Sequence, residues 1–535
     1  MAGRKEGRPR PRLLGTERAA AVLALLGLAA GCRSLPPAGP DATGPVPATG
    51  LATPLAPDPG PASLRPLDPG FSDRRQLSGD GFLRLLVDLR EQVDTEALLA
   101  DQLARGLTRQ ASRVETLDAL AAVAERGRAA LSPLLDELTE DGRLEYVRFL
   151  RYRNRVFISA RPAALEPLRA HPAVAELIPE YDSVRDMRRE PGSAIRTAPP
   201  IPPGDSWGVE ALHLRPLWEA GVDGRGVVVG SLDSGVTGDH VLLAAGRRAE
   251  RSWYDPRGER IEPVDTKPHG AQVLACAVAR PYEGRDFGAA PGAAWVAALA
   301  NRFNSYNNVD MALSADWMIF EARPDVILGA WGHGKGDCDP RDRALVSAAR
   351  AAGIVPVFAA GNDGPGPASG QAPAALGGFA PGACGPLAVA AVDQALTVIE
   401  PSSRGPSPCG GRSGVYPDLA GPGWQLPVPG APHPSSLTLE SGTSFAVGWV
   451  GGVAALMLQV RPELPVPAVE SILRETARDL GPAGPDDDYG FGLVDPVAAV
   501  EAARGWTGPT VAATVLIPPL AGVRPPTARP ATRDR

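Results

Sequence analysis

A chain of 535 residues has room for two or three domains and for a core of several hundred residues. Its net charge of −7 is spread without long blocks of one sign, which argues against nucleic acid as a partner. Many of its 61 Gly and 58 Pro crowd toward the N-terminal side, so part of the chain reads as linker rather than fold.

The first 32 residues read as an export signal. Arg4, Lys5, Arg8, Arg10, Arg12 and Arg18 form a basic region before the short apolar run Ala19 to Ala30. That run is too short to span a membrane stably but suits a signal-peptide core. The small residues Ala29-Ala30-Gly31 before Cys32 are similar to a bacterial lipobox, whose Cys is lipidated and becomes the new N-terminus; Ala29 stands where Leu is usual. The other reading is an ordinary signal peptide with an incidental Cys. No other stretch reads as membrane-spanning. Residues 33–79 are rich in Pro, Ala, Gly and Thr and read as a disordered tether.

Residues 80–182 have the pattern of a small α+β domain. Phe82 to Leu89 is a predicted strand. Thr95 to Leu138 is apolar at helical spacing, as two helices broken near Gly127 or Pro133. Leu144 to Tyr152 and Val156 to Ala160 form a predicted hairpin, Pro162 to Ala170 a short helix, and Val174 to Pro179 a last strand. That order is ferredoxin-like. Residues 183–206 read as a second linker.

From 207 to about 505, short apolar strands alternate with helices. Val227 to Leu232, Trp295 to Leu299, Val326 to Ala330, Val355 to Ala359 and Leu387 to Val392 are predicted strands; Asp310 to Glu321 and Asp342 to Ala352 are predicted helices. The alternation predicts an α/β domain, a parallel β-sheet covered by helices on both faces, with any site at the carboxyl ends of the strands. Asp233 and Asn362 fall at such ends, while His269 and Ser444 open small-residue helices. An acid, a base, an amide and a nucleophile in that order suit acyl transfer through an activated serine. Residues 506–535 read as a disordered tail.

These segments carry a resemblance. Trp207-Gly208-Val209, Leu232-Asp233-Ser234-Gly235, His269-Gly270, Ala359-Ala360-Gly361-Asn362, Ser403-Arg404-Gly405-Pro406, Ser441 to Ala446 and Tyr489 to Asp495 resemble the subtilase family, within it the bacillopeptidase F-like branch. Residues 82 to 180 look like that branch's propeptide. The resemblance implies an exported serine endopeptidase made as a zymogen and cleaved by itself within 183–206. Ser444 would be the nucleophile, His269 the base, Asp233 its orienting acid, and Asn362 with the Ser444 N–H the oxyanion hole. Its partners would be polypeptide substrates, its own propeptide domain, and the membrane through Cys32. The chemistry needs no cofactor; a structural calcium is left unassigned, and Asp486-Asp487-Asp488 reads as a solvated turn.

The chain departs from the family pattern at Ala271-Gln272, at Ala330-Trp331 and at Gly448-Trp449. Gly448 is expected to loosen its helix and Trp449 to add bulk. A catalytically weak subtilase fold acting as a surface binding module is therefore the alternative. His240 reads as structural, His333 as a surface-loop residue, and Trp253 and Trp331 as either substrate contacts or core. Four cysteines remain after Cys32. Among their three connectivities Cys384–Cys409 is favoured, with Cys276 buried and free.

Overall fold

The computed structural model describes residues 81–184, 201–302, 305–333, 338–376, 386–409, 415–431 and 433–508. The signal and lipobox, the tether, most of the second linker, Cys384 and most of the C-terminal tail lie outside the described residues.

Residues 83–179 form an α+β domain: β1 (Leu83–Leu89), α1 (Thr95–Ala104), α2 (Arg109–Glu140), β2 (Leu144–Leu150), β3 (Arg155–Ala160), α3 (Leu165–Ala170) and β4 (Val174–Pro179). The sheet runs β2-β3-β1-β4, antiparallel at each junction, which is the expected ferredoxin-like arrangement. The helical break is not where it was expected. Helix α2 runs unbroken through Gly127 and Pro133. The chain turns instead at Gly106, with φ +67°, and restarts where Thr108 Oγ1 accepts a hydrogen bond from Ala111 N. Gly127 is needed because helix and sheet approach closely: a Cβ there would sit 2.5 Å from Asn154 Oδ1 and 2.7 Å from Leu89 Cδ1. Past Pro133, Leu135 and Leu138 are buried against the sheet, so packing outweighs the lost backbone hydrogen bond.

A short strand, β5 (Asp182–Val184), leaves this domain. The second domain follows, with α4 (Trp207–Ala211), α5 (Arg215–Glu219), β6 (Val228–Asp233), β7 (Trp253–Tyr254), α6 (His269–Val278), β8 (Ala294–Leu299), β9 (Asn301–Arg302), β10 (Ser305–Asn307) and α7 (Asn308–Trp317). It continues through β11 (Val326–Gly329), α8 (Pro340–Ala351), β12 (Val355–Ala359), β13 (Leu387–Val392), β14 (Leu419–Pro422), β15 (Leu426–Pro429), β16 (Leu437–Glu440), α9 (Thr443–Val460), α10 (Val466–Glu475) and α11 (Pro496–Gly505). Seven strands form one parallel sheet in the order β14-β13-β12-β11-β6-β8-β7. Helix α7 ends earlier than predicted, at Trp317, and passes into a π-turn over Met318–Ala322.

Helix α9 is apolar and long enough to pass for a membrane span, contrary to the reading that no such stretch remains; it is a core helix, buried from Thr443 to Leu458. The expected Cys384–Cys409 pair is also corrected. Cys409 bonds Cys338, with Cα atoms 5.5 Å apart and a separation of 71 positions in the sequence. The segment leading into α8 and the loop ending at Cys409 meet instead. Cys276 is free and buried, as expected, and burial pushes its thiol up.

Candidate active site

Strand β6 ends at Asp233, which is buried, and α6 begins at His269. His269 Nδ1 lies 2.8 Å from Asp233 Oδ1, which also accepts the Ser234 N–H at 2.6 Å. A nitrogen facing a carboxylate carries the proton, so in the neutral ring Nε2 is the lone-pair nitrogen. Gly270 lets the two elements approach: a Cβ there would stand 2.1 Å from Gly235 O and 3.1 Å from Asp233 Cβ. Burial, the largest influence on His269, lowers its pKa, but the charge and hydrogen bond of Asp233 outweigh it. The net shift is upward from the ordinary value.

Ser444 stands in the first turn of α9, after Gly442 at φ +147°, in a backbone conformation that favours glycine. Thr443 N and Thr443 Oγ1 both donate to Asn362 Oδ1, at 3.1 and 3.0 Å. That fixes which end of the amide is oxygen and leaves Nδ2 as a donor for a substrate carbonyl. Gly361, at φ +116°, has no room for a side chain between Gln371 and Ser403. Asp233, His269, Asn362 and Ser444, drawn from four separate elements or their ends, line one open cleft together with Tyr306 and Trp331.

The altered positions have packing explanations. A Cβ on Gly448 would lie 2.4 Å from Val273 O and 2.6 Å from Cys276 Cβ, so this glycine sets the close crossing of α9 on α6 rather than loosening its helix. Trp449 is fully buried, and its ring occupies the space beside Gly208, where a Cβ would come within 2.5 Å. Gln272 is buried and donates from Nε2 to Pro429 O at 3.0 Å. Trp331 lines the cleft while packing on Phe358 and Tyr306. Trp253 instead sits half-buried on β7 and donates to Arg260 O.

His240 is structural as expected, buried with Nε2 2.9 Å from Ser436 O. His333 is corrected: it is buried, not a surface residue, with its ring edge-on to Tyr306 and Nε2 2.9 Å from Asp342 Oδ2. Asp486 Oδ1 caps the backbone of Asp488 and Tyr489, and Asp488 pairs with Arg404. Among the described residues no group of three His, Cys, Asp or Glu side chains is placed to hold a metal ion.

Sequence reasoning missed Asp265. Its Oδ1 accepts from Ser234 Oγ at 2.6 Å and from Lys267 N at 3.2 Å, and its Oδ2 accepts from Ala271 N at 2.8 Å. It thus ties the loop after Asp233 to the first turn of the His269 helix. Burial pushes its carboxyl up to about 6, against the pull of those hydrogen bonds; the Asp233 charge adds to the rise. The turn-forming spacing Asp265-Thr266-Lys267 was the available signal.

The subtilase family model matches residues 224–492. Bacillopeptidase F of Bacillus subtilis is 28% identical over 443 residues, 76% of this chain but 30% of that protein, so the chain spans less than a third of that relative. Serine protease AprX of Bacillus subtilis is 27% identical over 353 residues, covering 60% of this chain and 76% of that protein. An extracellular protease of Xanthomonas campestris pv. campestris is 28% identical over 334 residues, 55% of this chain and 54% of its own. The match covers half the chain and includes Asp233, His269, Asn362 and Ser444, with Asp233 at the end of β6 and Asn362 just past β12 of the parallel sheet: the chain belongs to the subtilase family.

Proposed function

We propose that this chain is an exported serine endopeptidase, made as a zymogen, that hydrolyses peptide bonds through an acyl-enzyme. Ser444 Oγ attacks the scissile carbonyl while His269 Nε2 takes its proton. The tetrahedral oxyanion is held by Asn362 Nδ2 and the Ser444 N–H. His269 then passes the proton to the leaving amine, and the acyl-enzyme forms. A water then attacks the acyl carbon as it gives its proton to the same nitrogen; the bond to Ser444 Oγ breaks, Oγ takes that proton back from His269, and the acid leaves. Asp233 holds the ring in one tautomer and stabilises its charged form. The observation that carries this reading is the 2.8 Å contact between His269 Nδ1 and Asp233 Oδ1, in a cleft shared with Asn362 and Ser444. No step calls for a metal.

The zymogen reading is supported by β5. It pairs antiparallel with β10, Val184 opposite Ser305 and Ser183 opposite Tyr306, and both Ser305 and Tyr306 line the cleft. The segment leaving the N-terminal domain thus lies along the cleft wall where an extended substrate would add a strand. That domain is the chain's own inhibitor, and the cut falls within 183–206. The names of extracellular relatives and the N-terminal export signal support an extracytoplasmic location, with Cys32 as the lipid attachment point. Labelling with a fluorophosphonate probe, beside Ser444→Ala, tests the reading. A shortened, labelled wild-type band absent from the variant is expected. Folded protein that neither reacts nor shortens would overturn it and favour the binding-module alternative.

A further inference from the structure

One charged side chain of the cleft has no part in the acyl transfer. Lys267 lines the same wall as His269 and stands two residues before it, with Pro268 between them. Among the described lining residues it is the only Lys or Arg, and Asp233 is the only carboxylate. The backbone of Lys267 is held from behind. Its N–H donates to Asp265 Oδ1 at 3.2 Å, and its carbonyl accepts the His269 N–H at 2.5 Å. Ser234 Oγ lies 2.6 Å from that carbonyl and 2.6 Å from Asp265 Oδ1, with one proton to give between them. Both backbone groups are thus occupied on the inner side, and Pro268 stiffens the step to the base. What this residue can offer the cleft is its side chain.

Among the described residues no carboxylate comes close enough to Lys267 to form an ion pair. The acids whose charge it feels are engaged elsewhere or stand off. Asp233 accepts from His269 and from the Ser234 N–H. Asp265 is tied to Ser234 and to Ala271 N. Glu440, half-buried at the end of β16, acts on it without contact. Lys267 is itself half-buried, and burial lowers its pKa against the pull of these three acids. An unpaired ammonium that has already lost part of its water gains from a carboxylate brought by a ligand. Its charge also reaches the base: after burial and Asp233 it is the next influence on His269, whose pKa it lowers. The imidazole must protonate the leaving nitrogen, so a group beside it is also near the scissile bond.

We propose that Lys267 sets substrate preference: it favours peptide bonds with an Asp or Glu side chain within two residues of the cut and disfavours Lys or Arg there. This rests on the peptidase reading above. The chain holds 54 Lys and Arg, of which three are Lys: Lys5, Lys267 and Lys335. A compact, flexible point charge beside the base is therefore an exception in a chain that otherwise uses Arg, and it can be addressed by amine chemistry.

The test uses the full chain after it has processed itself, with fluorogenic peptides that differ at one place. Glu, Gln or Lys occupies in turn each of the two positions before and the two after the cleaved bond, and mass spectrometry confirms the cut. At one or more of these positions kcat/KM is expected to rank Glu above Gln above Lys, with Glu ahead of Gln by about fivefold or more at low salt and by less at high salt. Lys267→Met should bring Glu and Gln within about twofold, Lys267→Arg should keep the ranking, and Lys267→Glu should put Lys first. Each ratio is taken within one enzyme, so a general loss of activity cancels. Should the Met variant fail to fold or to process itself, acetylation of the processed wild-type protein should remove the ranking, whereas dimethylation, which keeps the charge, should leave it; past residue 206 the lysines are Lys267 and Lys335 alone. A wild-type enzyme without this ranking at any position, or a ranking that survives loss of the Lys267 charge, would overturn the proposal. Failure of the peptidase reading shows separately: no peptide is cut, Ser444 takes no fluorophosphonate label, and the proposal falls with it.

Discussion

Replacing Gly448 by Ala should damage catalysis although alanine is the better helix former. The added Cβ meets backbone, Val273 O at 2.4 Å, and Cys276 Cβ at 2.6 Å, neither of which is the end of a flexible side chain. Ordinary carbon contacts need about 3.5–4.0 Å, so α9 and α6 must part by about 1 Å. Those two helices carry Ser444 and His269 at their first turns, and a 1 Å misplacement of reacting groups costs on the order of 10²-fold in rate. Overpacking should cost about 1–3 kcal/mol in stability, set against about 1 kcal/mol gained in helix propensity. Gly451→Ala is the control, because its Cβ meets the tip of Leu328, Cδ2 at 2.3 Å, which bears no catalytic group. It should lose stability but keep kcat. The assays are steady-state cleavage of a peptide substrate by the processed enzyme and urea unfolding in a Ser444→Ala background. A Gly448→Ala enzyme with kcat within about threefold of wild type would refute the reasoning.

Asn362→Ala should lower kcat by on the order of 10²–10³-fold with little change in KM, a magnitude measured on a protease of this family rather than worked out from this geometry; steady-state kinetics check it. Because Asp233 raises the pKa of His269, the base form is lost as pH falls, and kcat/KM should drop on the acid side with a midpoint above 6.5. In Asp233→Asn the lowering effect of burial loses its main opponent, with only the smaller influence of Asp265 left against it, so the midpoint should move down as the rate collapses; an unmoved midpoint would contradict the assignment. Asp265 takes up its proton at about pH 6 when folded, against an ordinary value of 3.8. Its charged form therefore opposes folding above about pH 6, by at most about 3 kcal/mol, and this opposition disappears as pH falls below about 4. Relative to wild type, Asp265→Asn should be more stable at pH 7.5 than at pH 4.5 in urea unfolding, and an equal difference at both would refute the shift.

The four residues of the cleft were legible because each sits where a local pattern changes. An apolar strand run stops at Asp233 and again just before Asn362, and a small-residue helix starts at His269 and at Ser444. What was illegible depends on a partner far away in sequence. Pro133 looked like a helix break because its cost is local, while the packing of Leu135 and Leu138 that outweighs it is tertiary. The true break at Gly106 and Thr108 carried ordinary capping chemistry and was overshadowed. Cys338 and Cys409 are joined across 71 sequence positions by a fold that the spacing of the cysteines does not encode. His333 looked like a loop residue between two glycines, yet Asp342 and Tyr306 enclose it.

The departures from the family pattern make the same point about inference from single positions. Gly448 read alone suggests a weakened helix, and Trp449 read alone suggests a crowded one. Each has a complement: Val273 and Cys276 come close because Gly448 lacks a side chain, and the Trp449 ring fills the space that Gly208 leaves. A substitution that fails to find such a complement leaves a cavity or a clash, and the cost of either falls on the spacing of the two helices. Here both complements are present, so the altered residues describe a different way of packing the same pair of helices. The motive for reading the chain as an inactive binding module weakens accordingly. A Gly208→Ala variant, whose Cβ would press on the Trp449 ring at 2.5 Å, should therefore destabilise the fold by about 1–3 kcal/mol, and substitution of Trp449 by Leu should relieve it. Additive losses in the double variant, measured by urea unfolding, would mean that the two positions are not complements and would restore the force of the alternative.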